Sequence, residues 1–363
     1  MSSTPPPAAS HKRAGEPLFS VRDLCVEYVT PAGPVRAVDR VSFEIGRGQV
    51  FGLAGESGSG KSTAAMAAMR LLQPPAVITG GEVSYEGRDV LAMGEDELRA
   101  FRWKEIALVF QSAMNALNPV LTVGAQIADV IERHEKVSSA QALERAAELL
   151  GLVGIESSRL RSYPHQLSGG MRQRVVIAIA LALNPPLLFM DEPTTALDVV
   201  VQKEILQQIA ELKERLGFSI LFITHDLSLM LEFCDTVGIL YAGRLCEVAP
   251  AKELFSNPQH PYTRGLMRSF PELRGPKQRI DGIPGSPPDM RSPPAGCRFH
   301  PRCSVAIPVC NQEQPQLITL AEPALARAVG AEGDGQGGAT AQRRASHQVA
   351  CHVAAQAAGS HEV

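Results

Sequence analysis

The stretch Gln49-Val50-Phe51-Gly52-Leu53-Ala54-Gly55-Glu56-Ser57-Gly58-Ser59-Gly60-Lys61-Ser62-Thr63 leads from a compact apolar run through a glycine loop into the Ala/Met-rich segment Lys61 to Leu72. Gly55 to Ser62 fits G-x-x-x-x-G-K-[ST], and a strand before it with a helix after it is the context that makes the pattern a phosphate-binding loop. Gly58 and Gly60 let successive backbone N–H groups turn inward around phosphates, where a side chain would collide. The N-terminus of the following helix adds a favourable dipole for an anion. Lys61 reads as the residue that reaches the β- and γ-phosphates, and Ser62 as a Mg²⁺ ligand. By itself such a loop says nucleotide and no more.

Outward from the loop, strands and helices alternate, which argues for a mainly parallel α/β core. Ile106 to Phe110 is a buried strand ending at Gln111. Leu187-Leu188-Phe189-Met190-Asp191-Glu192-Pro193 is another, whose carboxylates emerge at the C-terminal edge of the sheet, where α/β sheets bind their ligands. Asp191 reads as a holder of Mg²⁺ through water, and Glu192 as the base that polarises an attacking water. A helix over Val200 to Leu216 and a strand over Ser219 to Thr224 follow, with His225 at the strand's end. Leu18 to Ile45 is short-patterned, Val-rich and turn-punctuated, the mark of an antiparallel β-layer, and Gly80 to Val90 returns to strand around a turn at Glu86-Gly87-Arg88. Residues 112–167 form a charged helical insert, in which Val137-Ser138-Ser139 breaks the helix and supplies an N-cap.

Leu167-Ser168-Gly169-Gly170-Met171-Arg172-Gln173-Arg174 opens a helix that runs through Leu183 and stops at Asn184-Pro185-Pro186. Ser168 serves as its N-cap, and an N-cap is also where a helix holds an anion. A Ser-Gly-Gly helix start between the glycine loop and the Asp-Glu strand end, in this chain order, resembles the ATP-binding-cassette (ABC) ATPases. The resemblance implies a P-loop cassette with an antiparallel β-layer and a helical subdomain. It makes Ser168, Gly169 and Gly170 the motif that completes the ATP site of an opposing subunit, with Asp198 in the loop linking the two sites. It also implies that Gln111 contacts Mg²⁺ and senses the γ-phosphate, that His225 orients the water, and that Tyr28, otherwise a core tyrosine by its pattern, stacks on adenine. The family's usual glutamine after Gly-Gly is Met171 here, which leaves the phosphate donors intact and puts a polar role for that side chain in question.

The last third narrows the resemblance. His260-Pro261-Tyr262-Thr263-Arg264-Gly265-Leu266, Ile283-Pro284-Gly285-Ser286-Pro287-Pro288 and Gly296-Cys297-Arg298-Phe299-His300-Pro301-Arg302-Cys303 look like the ATP-binding subunits of oligopeptide/dipeptide/nickel importers. So does Asn115-Ala116-Leu117-Asn118-Pro119-Val120-Leu121-Thr122-Val123-Gly124, a region that in the family lies near the groove receiving a permease helix. Four of the seven cysteines, Cys297, Cys303, Cys310 and Cys351, fall in this part of the chain. The resemblance associates them with a [4Fe–4S] cluster, and thiolate ligation of Fe–S is natural chemistry. Zinc is the rival, since four cysteines suit it equally, although the wide spacing lacks paired C-x₂-C knuckles. Cys25, Cys234 and Cys246 stand in apolar strand-like sequence and read as buried free thiols.

Of 363 residues, 45% are hydrophobic and 20% charged, enough for a substantial core, and the net charge of −3 gives no polybasic footprint for nucleic acid. No apolar run approaches the roughly 20 residues that span a bilayer. Residues 1–17 lack the apolar core of a signal peptide and read as a disordered tail. The cassette is expected over 18–255, an importer-type C-terminal region over 256–363, and a flexible Ala/Gly/Gln-rich loop near 324–345. The implied function is the ATP-hydrolysing motor of an importer on the cytoplasmic face of the cell membrane. Its partners would be two transmembrane permeases, a second cassette of the same or a different chain, and an extracytoplasmic solute-binding protein. Peptides are the first cargo to consider and nickel or another small solute the second, with a soluble ABC ATPase outside transport as the other alternative.

Overall fold

A computed structural model of the chain describes residues 16–110, 116–194, 198–269, 282–320 and 346–359. The tail before residue 16, Gln111 and the 324–345 loop lie outside them. Two sheets carry the fold. The smaller is antiparallel: β1 (Phe19–Thr30) lies between β2 (Gly33–Ile45) and β4 (Ala76–Tyr85), with β5 (Arg88–Asp89) beyond β4. The β4–β5 turn has Glu86 and Gly87 both at positive φ, 48° and 80°, the primed geometry that matches the twist of a two-residue hairpin.

The larger sheet has eight strands. Its parallel part runs in the order β9 (Thr236–Tyr241), β3 (Val50–Ala54), β8 (Ser219–Ile223), β7 (Leu187–Asp191), β6 (Ile106–Val109). Every residue of β3, β7 and β8 is buried, as a parallel sheet covered on both faces requires. Antiparallel β10 (Arg244–Pro250) extends it beside β9, followed by β12 (Gln348–Val349) and β11 (Ile318–Thr319). The far C-terminal residues are therefore part of the same sheet as the glycine loop.

Two apolar cores lie against this sheet. One, with Phe19, Phe43, Phe51 and Phe189 and with Leu98 and Phe101 of helix α2 (Glu95–Phe101), joins it to the small sheet, and the Phe19 and Phe189 rings meet edge to face at 5.5 Å. The other joins it to the helices α3 (Val123–His134), α4 (Ser139–Leu152), α5 (Gly169–Ala180) and α6 (Val199–Leu216), and includes Tyr262 and Phe299 from the last third of the chain. Ser138 caps α4 through a reciprocal box with Gln141, as the sequence break suggests.

Several boundaries differ from the sequence reading. The helix after the glycine loop, α1, covers only Lys61–Ala68, because Arg70 turns left-handed at φ 53° ahead of Pro74 and Pro75. Helix α5 ends at Ala180 rather than Leu183, and Asn184 at φ 50° turns the chain into β7. Strand β4 begins at Ala76, four residues earlier than read, and pairs Ala76 with Tyr28.

Candidate nucleotide site

The glycine loop leaves β3 and wraps the start of α1. Gly55, Gly58 and Gly60 have φ of 146°, 75° and 102°, which disfavour any side chain. At Gly55 an added Cβ would sit 2.0 Å from the Leu240 carbonyl oxygen, and at Gly60 2.4 Å from that of Ala37. At Gly58 it would meet nothing within 4 Å, so that glycine is required by its conformation and not by a collision with the protein. Lys61, 6% exposed, folds back and donates to the carbonyls of Gly55 and Glu56, both at 2.9 Å. Burial lowers its pKa, against the opposing pull of Glu192, Asp191 and Glu56. The ammonium is thus held on loop carbonyls at the place where an anionic ligand would replace them.

Asp191, at the end of β7, is 8% exposed, and its Oδ1 is buried with no hydrogen-bond partner. Burial raises its pKa and a hydrogen bond from Ser62 lowers it. A buried carboxylate oxygen left open beside the hydroxyl of the loop's serine fits a hard divalent cation. Among the described residues no group of three or more His, Cys, Asp or Glu could hold a metal alone. Mg²⁺ takes one or two protein ligands, with phosphate oxygens and water as the others. Glu192 follows at φ 46°, its N–H donating to Ile223 O at 2.8 Å, and its Oε1 lies 3.3 Å from Nδ1 of the exposed His225. The strand ends of β7 and β8 thus bring Asp191, Glu192 and His225 to the loop's mouth.

Tyr28, Thr63, Met66, Leu71, Leu72, Gln73 and Ala76 line a cavity of about 320 Å³ that reaches Ser62. The Tyr28 hydroxyl is 3.3 Å from Thr63 Oγ1. Ser168 caps α5, its Oγ accepting from Met171 N–H at 3.3 Å, and is exposed. Asp198 caps α6, accepting from Val200 and Val201 N–H at 3.1 and 3.0 Å, and is exposed too. Among the described residues neither hydrogen-bonds to residues 55–63. Gly170 is tightly placed, since a Cβ there would lie 2.9 Å from Val201 Cγ1. Met171 packs against the helical core, which accounts for an apolar residue where the family has glutamine.

Cys297, Cys303, Cys310 and Cys351 come into one neighbourhood, and all are free thiols. Burial, with the neighbouring thiols adding to it, pushes Cys297 up to about 11 and raises Cys303 and Cys351 as well. These are the thiols without a metal, and metal binding would displace their protons. The four-cysteine ligand set read from the sequence is not assembled as a metal site among the described residues. Cys246, the buried free thiol expected from the sequence, lies close enough to Cys297 and Cys351 to feel them and belongs to this neighbourhood. Cys25 is only half-buried and lies against Asp23 and Arg40, so that reading is corrected.

Two further residues touch the loop that the sequence did not single out. The Glu56 N–H donates to the Tyr262 hydroxyl at 2.9 Å, and the Glu56 carboxylate is paired with Arg302. Their separations of 206 and 246 residues leave no local pattern by which to find them.

The ABC transporter family model matches residues 38–195, and the model of the oligopeptide/dipeptide transporter C-terminal region matches 246–310. A probable peptide ABC transporter ATP-binding protein of Sinorhizobium fredii is 47% identical over 84% of this chain and 92% of its own length. The oligopeptide transport ATP-binding protein OppD of Bacillus subtilis is 43% identical over 84% of this chain and 86% of its own. Among solved structures, the dimeric post-hydrolysis state of the ATP-binding cassette MJ0796 bound to ADP and Pi matches with a TM-score of 0.58 and 30% identity, covering 64% of this chain and 98% of that one. With the loop, the Asp-Glu strand end and the exposed Ser-Gly-Gly cap in place, the chain belongs to the ABC transporter family, as an ATP-hydrolysing subunit carrying the oligopeptide/dipeptide transporter C-terminal region.

Proposed function

We propose that this chain is the motor of a peptide importer, acting as a peripheral subunit on the cytoplasmic face of the cell membrane. Backbone N–H groups of Gly55 to Lys61 and the side chains of Lys61, Ser62 and Thr63 hold the phosphates, and Tyr28 stacks on adenine in the adjoining cavity. Ser62 and Asp191, joined by Gln111, hold Mg²⁺, which when bound offsets phosphate charge. Glu192 takes the proton of the attacking water, and His225, 3.3 Å from it, orients that water toward the γ-phosphate. Ser168, Gly169, Gly170 and Asp198 act on the nucleotide held by a second cassette, of the same or a paralogous chain. Two permeases turn closure of the pair into translocation, with cargo delivered by an extracytoplasmic solute-binding protein.

The observation that carries this reading is the open Asp191 Oδ1 beside Ser62 and Lys61, with Glu192 and His225 at the next strand end. No helix among the described residues is long and apolar enough to cross a membrane, so translocation needs partner chains. Peptide cargo follows the named roles of the relatives, and nickel import would use the same motor. In this reading Cys297, Cys303, Cys310 and Cys351 would be the thiolate ligands of a [4Fe–4S] cluster. Anaerobic purification of the tagged chain from its native membranes tests both parts. Two hydrophobic permeases should co-purify, with iron and sulfide in the preparation. A complex with nucleic acid and no permease refutes the motor, and stoichiometric zinc without iron refutes the cluster.

A further inference from the structure

The turn 297–303 carries two buried arginines, Arg298 and Arg302, at 7% and 8% exposed. Both reach the surroundings of the glycine loop. Arg302 grips the Glu56 carboxylate with both arms of its guanidinium, Nη1 to Oε2 at 2.8 Å and Nη2 to Oε1 at 3.0 Å. Its remaining donors are used as well, Nε on Pro284 O at 2.8 Å, Nη1 on the Tyr241 hydroxyl at 3.2 Å and Nη2 on Ile283 O at 3.5 Å. A planar fork so satisfied fixes its carboxylate in direction as well as in charge. Arg298 pairs with Asp39 at 2.5 Å and donates to the Ala242 carbonyl, next to Gly243, whose N–H donates to Ser59 O at 2.8 Å.

Glu56 is thereby held at two points, by Tyr262 on its backbone N–H and by Arg302 on its carboxylate. Its own carbonyl is one of the two that hold Lys61. A carboxylate at the second position of a loop that receives a polyphosphate would repel that ligand unless neutralised, and at partial burial the repulsion is poorly screened.

We propose that Arg302 is a positioning residue for the nucleotide. It neutralises Glu56 and locks its side chain away from the incoming phosphates, and it makes the Cys297–Cys303 turn an outer wall of the phosphate loop. The proposal rests on residues 55–62 being the phosphate site. That premise is tested separately, since Lys61→Ala abolishes ADP binding if it holds.

Equilibrium binding of ADP with Mg²⁺ to the full-length chain, read by calorimetry alongside a thermal melt, tests Arg302 itself. Arg302→Gln, which removes the charge and keeps hydrogen-bonding length, is expected to weaken ADP about tenfold. Arg302→Lys, which restores a cation, should bind within about threefold of the unaltered chain. Adding Glu56→Gln to Arg302→Gln should recover most of the loss, because the carboxylate that needed neutralising is gone. Unaltered affinity in Arg302→Gln overturns the proposal, as does a double variant as weak as Arg302→Gln. Should Arg302→Gln fail to fold, Arg302→Lys decides alone: a folded Lys variant more than about tenfold weaker overturns the role of charge.

Discussion

At the scale of single residues, Glu192 is the side chain on which most depends, and its backbone is strained. A non-glycine residue at φ 46° costs on the order of 1–3 kcal/mol and persists only where its surroundings over-determine it. The bond from its N–H to Ile223 O is one such constraint, and the result aims its carboxylate at His225. Glu192, Lys61 and Asp191 were legible in the sequence because the chemistry sits in consecutive residues between a strand and a turn. Asp39 was not. It is 3% exposed and joins Arg244 and Arg298, which lie 205 and 259 residues away; its looser pairs with the neighbouring Arg36 and Arg40 do not announce those distant partners. Removing one member of a buried ion pair leaves its partner's charge without compensation and costs about 3–5 kcal/mol. Urea unfolding of Asp39→Ala should show a loss of that order; a loss below about 1 kcal/mol would mean that solvent replaces the carboxylate.

Among the elements, those with a side-chain cap were placed well from sequence and those set by distant contacts were not. Ser138 and Ser168 mark the starts of their helices in both the sequence and the structure. The pairing of β12 with β10 had no such signal. It is pinned by His347, whose Nε2 lies 2.7 Å from Glu247 and Nδ1 2.8 Å from Glu253, with Glu247 fully buried. Burial alone would lower the pKa of His347, but the hydrogen bonds and charges of Glu247 and Glu253 outweigh it and raise the value. A His with a raised folded pKa adds stability that is fully present below its unfolded value of about 6.5 and is lost as pH rises through the folded value. His260, pushed down to about 4 by burial, adds a slope of the opposite sign near its unfolded value of about 6.5, but it does so equally in both chains and cancels from the comparison. Thermal melts from about pH 6 to about pH 9 should therefore show the advantage of the unaltered chain over His347→Gln shrinking as pH rises. A gap independent of pH would contradict a charged His347.

For the molecule as a whole, the glycine loop is shared property. It is built by β3 and α1, walled by the small sheet through Ala37, and clamped by Tyr262 and Arg302 from the last third of the chain. The cassette and the cysteine-bearing segment thus form a continuous structure around one nucleotide site. The exposed Ser168 and Asp198 caps remain available for a second subunit. The local strands and helices of the cassette could be read from periodicity and turn residues. The joining of the C-terminal strands to the large sheet could not, because backbone pairing across about 100 residues carries no sequence pattern. The central claim, that this is a dimerising ATPase whose chemistry runs through Glu192, is met most directly by ATP turnover and sedimentation of Glu192→Gln with Mg²⁺ and ATP. The account predicts retained ATP binding, turnover reduced by about 10² or more, and a dimer trapped with ATP. Hydrolysis at the unaltered rate, with no ATP-dependent dimer, would contradict it.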